Sequence, residues 1–159
     1  MDWFQNILPT LLVVTTGLIT WFLKDKSEKL KLQREKLIEE KRTNYEKILE
    51  PIIRTFAGAK NKNELVKAIK QLQSFDYKKT SFQLMLFGSD NVVNAYNDYF
   101  QYLYKNDNEK NPVEMLNALG RIVLEIRKDL GNDKTALNEF DMLRFMITGI
   151  DKIKREDVN

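Results

Sequence analysis

Residues 3–23 read WFQNILPTLLVVTTGLITWFL, a stretch of the chain without a charged side chain. At about 1.5 Å of rise per residue, a helix of this length covers the ~30 Å hydrocarbon core of a bilayer. Aromatic pairs stand at its two ends, where such rings favour the membrane interface: Trp3, Phe4, Trp21 and Phe22. The stretch therefore predicts a transmembrane helix within an anchor formed by residues 1–23.

Two other interpretations of this stretch are a cleaved signal peptide and a buried core helix. A signal peptide begins with positive charge and ends at small residues. Here Asp2 is the side-chain charge that precedes the stretch, and Lys24, Asp25 and Lys26 follow it. A core helix that is apolar on every side needs packing partners around its whole circumference. We therefore favour the membrane anchor.

Basic residues on one side of the stretch predict its orientation: Lys24, Lys26, Lys29, Lys31, Arg34 and Lys36. Because positively charged flanks stay in the cytoplasm, we expect the N-terminus outside the cell membrane and the rest of the chain inside. Lys24 and Lys26 would then lie at the membrane interface. One face of the span carries Thr10, Val13, Gly17 and Thr20, whose spacing permits two helices to approach closely. This face predicts self-association into a homo-oligomer.

Residues 24–50 contain no glycine or proline and are rich in good helix formers, so they predict a continuous basic helical stem. Ile38, Tyr45 and Ile52 recur every seven residues, as in a short coiled coil. The alternative is packing of the distal half of the stem on the following domain. We favour that alternative for Leu37, Ile38, Tyr45, Ile48 and Leu49, and the coiled coil for the half nearest the membrane. Pro51 should kink or restart the helix.

Residues 51–153 predict a helical domain, and residues 154–159 a polar tail. Leu65, Ile69, Leu72 and Phe75 share one face of a first helix. Residues 80–87 alternate as in a strand, but no convincing second strand exists to pair with them, so we predict a helix. Three helix starts are predicted: at Ser89, at the Asn111–Pro112 pair with Glu114 in a capping box, and at Asn138 with Asp141. Gly131 predicts a helix end.

The predicted fold class is therefore all-α: an N-terminal transmembrane helix, a helical stem and a small cytoplasmic helical bundle. The chain has no cysteine and no histidine, which excludes disulfides, the usual zinc and haem ligand sets and any histidine-based triad. No cofactor is expected. The net charge of +3 is small, and we do not expect a nucleic-acid partner, although Tyr102 and Tyr104 have side chains of the type that stacks on bases.

The segment LEIRKDLGNDKTALNEFDMLRFMI spans residues 124–147. It resembles a phrase near the C-terminus of small, uncharacterised bacterial membrane-anchored helical proteins, in which an apolar stretch precedes Arg-Lys-Asp-Leu-Gly and a second helix follows. The matching residues are Ile126, Arg127, Lys128, Asp129, Leu130, Gly131, Leu137 and Asp141. The resemblance implies a similar single-pass layout and transfers no activity.

These features predict a non-enzymatic, membrane-tethered interaction or effector module whose partners are the lipid bilayer, further copies of the chain or a cytoplasmic protein. A role in bacterial stress or phage defence is one version of it. Arg121, Arg127 and Lys128 are candidates for an anion or partner site, while Arg127 and Lys128 equally suit the last turn of a helix, where cations favour the helix dipole. The alternative is a carboxylate-metal enzyme acting on phosphate-bearing substrates through Glu125, Asp129, Asp133 or Asp141.

Overall fold

The computed structural model describes the backbone of residues 3–57 and 61–147, with side chains from residue 18 onward except at residues 57 and 107. Every regular element in these ranges is helical. The elements are α1 (Trp3–Ala57), α2 (Lys62–Gln73), α3 (Phe75–Phe87), α4 (Asp90–Leu103), a 3₁₀ turn (Asp107–Glu109), α5 (Pro112–Asp129) and α6 (Glu139–Leu143). The all-α prediction is confirmed, and so is a helix over residues 80–87.

The chain divides into two compact units, Met1–Glu40 and Lys41–Asn159. No helix among the described residues is long and apolar enough to cross a membrane. Most of the predicted anchor is formed by residues 1–17, whose side chains the structure does not describe. The predicted site residues among them therefore lie outside the described side chains: Trp3, Phe4, Thr10, Val13 and Gly17.

The core of the second unit is built by helices α1, α3, α4, α5 and α6. α5 is central, since it packs on both α4 and α6. It buries Leu116, Leu119, Ile122, Leu124 and Ile126. This is the helix whose apolar spacing the sequence predicts most clearly, and its position follows from burying that broad apolar surface.

The distal part of α1 belongs to this core. Tyr45, Ile48 and Ile52 are buried and Leu49 packs against them, as predicted for the distal half of the stem. The same prediction is wrong for Leu37 and Ile38, which are exposed. They lie in the first unit, which ends at Glu40.

Local capping chemistry explains most helix ends. Ser74 separates α2 from α3, because its hydroxyl donates to the Gln71 carbonyl at 2.7 Å and accepts from the Tyr77 N–H at 3.1 Å. Asn111 caps α5, with Pro112 in the first turn, and Asn138 forms a capping box with Asp141 at the start of α6. Gly131 follows α5 with φ of 105°, a left-handed conformation that glycine adopts without strain.

Four predictions about these helices are wrong in detail. α1 runs through Pro51 without restarting, because buried Ile48 and Ile52 hold this part of the helix in the core. Glu114 pairs with Lys105 at 3.4 Å instead of closing a capping box. The pattern NEFDMLRFMITGIDKI predicts a last helix over residues 138–153, but α6 ends at Leu143, and residues 148–153 lie outside the described range. The apolar face predicted for α2 is mostly exposed, and the fully buried residue of that helix is Ala68.

Candidate interaction surface

Helix α3 is apolar on two opposite sides. Its inward side buries Tyr77, Thr80 and Leu84 in the core. Its outward side carries Phe75, Phe82 and Leu86, which are 79%, 72% and 74% exposed. At 3.6 residues per turn these three residues fall within about 20° of a common line along the helix. A short surface helix normally turns polar residues to solvent, so this stripe marks α3 as a candidate binding surface.

Two lysines flank the stripe. Lys79 lies about 40° to one side of Phe75 on the helix circumference and Lys78 about 60° to the other. Both are exposed, and neither forms an ion pair within the described residues. Phe87, also exposed, follows Leu86 at the end of the helix. We name the five residues on or beside the stripe the α3 face: Phe75, Lys78, Lys79, Phe82 and Leu86.

Sequence reasoning identified the helix but missed this face. The available signal is the uncharged run TSFQLMLFGS over residues 80–89, which is too apolar for a half-exposed helix. Periodicity could not show which side faces solvent, since apolar residues occur around the whole circumference. That choice is made by Ser74, which sets the start of α3, and by the packing of Tyr77 and Leu84 against the core.

The predicted anion or partner site is not assembled as a cluster. The Arg121 guanidinium donates to Asp98 at 2.8 Å, and the Lys128 ammonium donates to Glu125 at 2.7 Å. Arg127 instead lies 3.4 Å from the Thr135 hydroxyl. Each cation therefore has its own nearby partner. Arg121 does line an open groove of about 790 Å³, but this groove also contains Asp98, Glu114 and Glu139 and so has no anion-selective character.

The phrase that carries the family resemblance contains a structural junction at Asp129. Its carboxylate accepts hydrogen bonds from the Lys41 ammonium at 2.9 Å and from the Tyr45 hydroxyl at 2.5 Å. Burial by itself raises the pKa of Asp129. The two hydrogen bonds, the charge of Lys41 and a hydrogen bond with Ser89 together lower it by more, so the pKa lies below its ordinary value. Asp129 thus joins the end of α5 to α1, two segments that are far apart in sequence.

The carboxylates of the enzyme alternative also have separate surroundings. Asp141 caps α6 and Glu125 pairs with Lys128, while Asp133 is exposed on the loop after α5. Within the residues that the structure describes, no three acidic side chains lie close enough together to hold a metal ion. Alanine substitution of Asp129 or Asp141 would therefore disturb folding, and Asp133 is the cleaner residue for testing that alternative.

An apolar cavity of about 240 Å³ lies between α1, α5 and the end of α6. Its walls include Ile52, Leu119 and Val123, together with Met142 and Met146 near the end of the described chain. The described residues that line it are all apolar, so none of them provides a polar group to orient a ligand. Because the chain continues beyond Ile147 outside the described residues, we assign this cavity no ligand.

The residues predicted at the membrane interface are partly described. Trp21 and Phe22 are exposed, and the Lys26 ammonium lies 4.8 Å from the centre of the Phe22 ring. Lys24 and Thr20 are also exposed on α1. Comparison of the chain with protein-family models, with curated proteins and with solved structures finds no match. The resemblance to bacterial membrane-anchored helical proteins accordingly remains a prediction.

Proposed function

We propose that this protein is a membrane-tethered helical interaction module, with residues 3–23 as its anchor and the remainder on the cytoplasmic side. The observation that carries the interaction role is the outward stripe of α3, formed by Phe75, Phe82 and Leu86 on a helix that already buries its opposite side. Exposed apolar stripes of this kind are characteristic of surfaces that become covered by another molecule.

The size of the stripe supports an energetically significant contact. Fully burying one large apolar side chain contributes about 1.5–3 kcal/mol. Three such side chains, each largely exposed in the isolated chain, would therefore contribute several kcal/mol before the ordering costs of association are subtracted. This contribution suits a contact that is supplemented by a second attachment, such as a membrane anchor in the same chain.

The anchor is supported by the uncharged sequence of residues 3–23 and by the exposed part of α1 that the structure describes. Five large apolar side chains occur within residues 18–23, all of them exposed: Leu18, Ile19, Trp21, Phe22 and Leu23. Lys24 and Lys26 follow directly. An apolar helix end next to lysines is the arrangement expected where a span leaves the hydrocarbon core on the cytoplasmic side.

Cell fractionation of the full-length chain tests the anchor. We expect the protein in the membrane pellet, resistant to alkaline carbonate and released by detergent. Recovery of the intact chain in the carbonate supernatant would disprove the proposed anchor. Crosslinking in native membranes tests the oligomeric form of the module, in which Thr10, Val13, Gly17 and Thr20 provide the helix contact.

The interaction role is tested with serine substitutions at Phe75, Phe82 and Leu86. The matched control is Tyr104→Ser, since Tyr104, the residue that follows α4, is a similarly exposed aromatic residue. We expect the triple variant to stay folded in the membrane and to lose the crosslinks that α3 forms to protein or lipid, whereas the control retains them. Equal behaviour of the two variants would contradict an interaction role for α3.

A further inference from the structure

We infer that the α3 face docks on the surface of an anionic lipid bilayer, an inference that rests on the proposed function and names the partner of its interaction surface. Two features of the face support it: the apolar stripe is mainly aromatic, and its lysines have no acidic partner within the described residues. An interfacial helix buries its apolar side about 5–10 Å into the boundary between headgroups and acyl chains.

The geometry of α3 fits a helix that lies in the membrane plane. Phe75, Phe82 and Leu86 span nearly the full helix on one line, so all three can enter lipid at the same depth. Lys78 and Lys79 stand on either side of that line. Their long side chains can bury the methylene stem beside the phenylalanines while the ammonium groups reach lipid phosphates.

Charge distinguishes a bilayer from a second copy of the chain. A symmetric contact between two α3 faces would bring Lys78 and Lys79 of both chains together. Asp76, the acidic residue of this helix, lies about 100° away from the stripe, and within the described residues it forms no ion pair with Lys79, which follows it by one turn. Anionic lipid headgroups complement the lysines without such repulsion, and each lysine near the surface strengthens binding about fivefold.

The absence of cysteine from the sequence permits a direct experiment. Phe82→Cys in the full-length chain receives an environment-sensitive fluorophore, and Tyr104→Cys is labelled as the control. Each protein is reconstituted into vesicles of phosphatidylcholine with or without phosphatidylglycerol, some containing nitroxide-labelled lipid. Both parent residues are well exposed, so the substitutions leave the core unchanged, and circular dichroism verifies the fold.

We expect the Phe82 label to be blue-shifted and quenched by nitroxide lipid in phosphatidylglycerol vesicles, while the Tyr104 label is not. Replacing Lys78 and Lys79 with glutamine should lower the ratio of docked to undocked protein by roughly 25-fold. The inference is overturned if the Phe82 label is unquenched, or if quenching is equal in vesicles without phosphatidylglycerol. Disulfide-linked dimers through unlabelled Phe82→Cys, with no quenching by lipid, would identify a second copy as the occupant and also overturn it.

Failure of the anchor gives a different result. If alkaline extraction removes the chain from the vesicles, the proposed anchor is wrong, yet quenching of the Phe82 label before extraction would still support docking. If the chain stays with the vesicles and the label is unquenched, the anchor stands and the docking inference fails. A label at Leu86→Cys on the same stripe provides an independent second position for this decision.

Discussion

Replacement of Asp129 by alanine should destabilise the second unit strongly, because this carboxylate is the common acceptor for Lys41 and Tyr45. The ion pair is largely shielded from solvent: the Asp129 and Lys41 side chains are 11% and 19% exposed. Breaking a fully buried ion pair costs about 3–5 kcal/mol, and the residual exposure lets Lys41 recover some hydration. With the Tyr45 hydroxyl also losing its acceptor, we expect a loss of about 3 kcal/mol in the free energy of unfolding.

Thermal unfolding of the full-length chain in a mild detergent, followed by far-UV circular dichroism, measures this effect. For a folded unit of this size, about 3 kcal/mol corresponds to a decrease in Tm of roughly 12 °C. Asp133→Ala is the matched control, since Asp133 is an exposed aspartate a few residues further along. Its free energy of unfolding should stay within about 0.5 kcal/mol of the parent protein.

The pH dependence provides a second criterion. The pKa of Asp129 is lowered in the folded state, so its stabilising contribution is present above the unfolded pKa of ~3.9 and is lost as the pH falls through the folded pKa. The stability difference between parent and Asp129→Asn should therefore shrink on acidification below about pH 4. This account of the junction is refuted if the Asp129 variant is as stable as the parent at neutral pH. It is also refuted if the difference in their free energies of unfolding does not change on acidification.

Three further predictions concern stability. Gly120→Ala should lower the free energy of unfolding by at least about 2 kcal/mol, because the added Cβ would lie 2.1 Å from the backbone oxygen of Glu139. Chemical denaturation measures this loss, and an unchanged stability would mean that α5 and α6 do not approach this closely. Burial raises the pKa of Tyr99 to about 12, so its stabilising contribution is present below the unfolded pKa of ~10 and disappears at higher pH. Tyr99→Phe should accordingly lose less stability than the parent between about pH 10 and pH 12, and equal losses would contradict this. On α3, exposed Phe82→Ser should change the free energy of unfolding by less than about 0.5 kcal/mol, while buried Leu84→Ala should lower it by about 2–5 kcal/mol. Similar unfolding midpoints for the two variants would show that the inward and outward sides of the helix are wrongly assigned.

Several helix boundaries could be predicted because their signals are local. Asn111 followed by Pro112, Asn138 with Asp141, and Gly131 each act within one helical turn, and the structure has all three where the sequence predicts them. Glu114 shows the limit of this reasoning. Its spacing suits a capping box, but Lys105 from the preceding segment lies close enough to bind the carboxylate instead.

The side of a helix that becomes buried was less predictable. In α2 the sequence pattern favours Leu65 and Ile69, whereas Ala68 is the residue that the structure buries. Pro51 is a similar case: its local tendency to interrupt a helix is outweighed by the burial of its neighbours in the core. In both cases contacts with other helices override a local preference.

The sequence by itself determined that the described chain is helical and where several of its helices begin, since propensity, spacing and capping act over a few residues. Only the tertiary structure decided that Asp129 meets Lys41 and Tyr45, and that Phe75, Phe82 and Leu86 face outward. These outcomes depend on how helices distant in sequence pack against one another, and the spacing of apolar residues within one helix does not fix that arrangement.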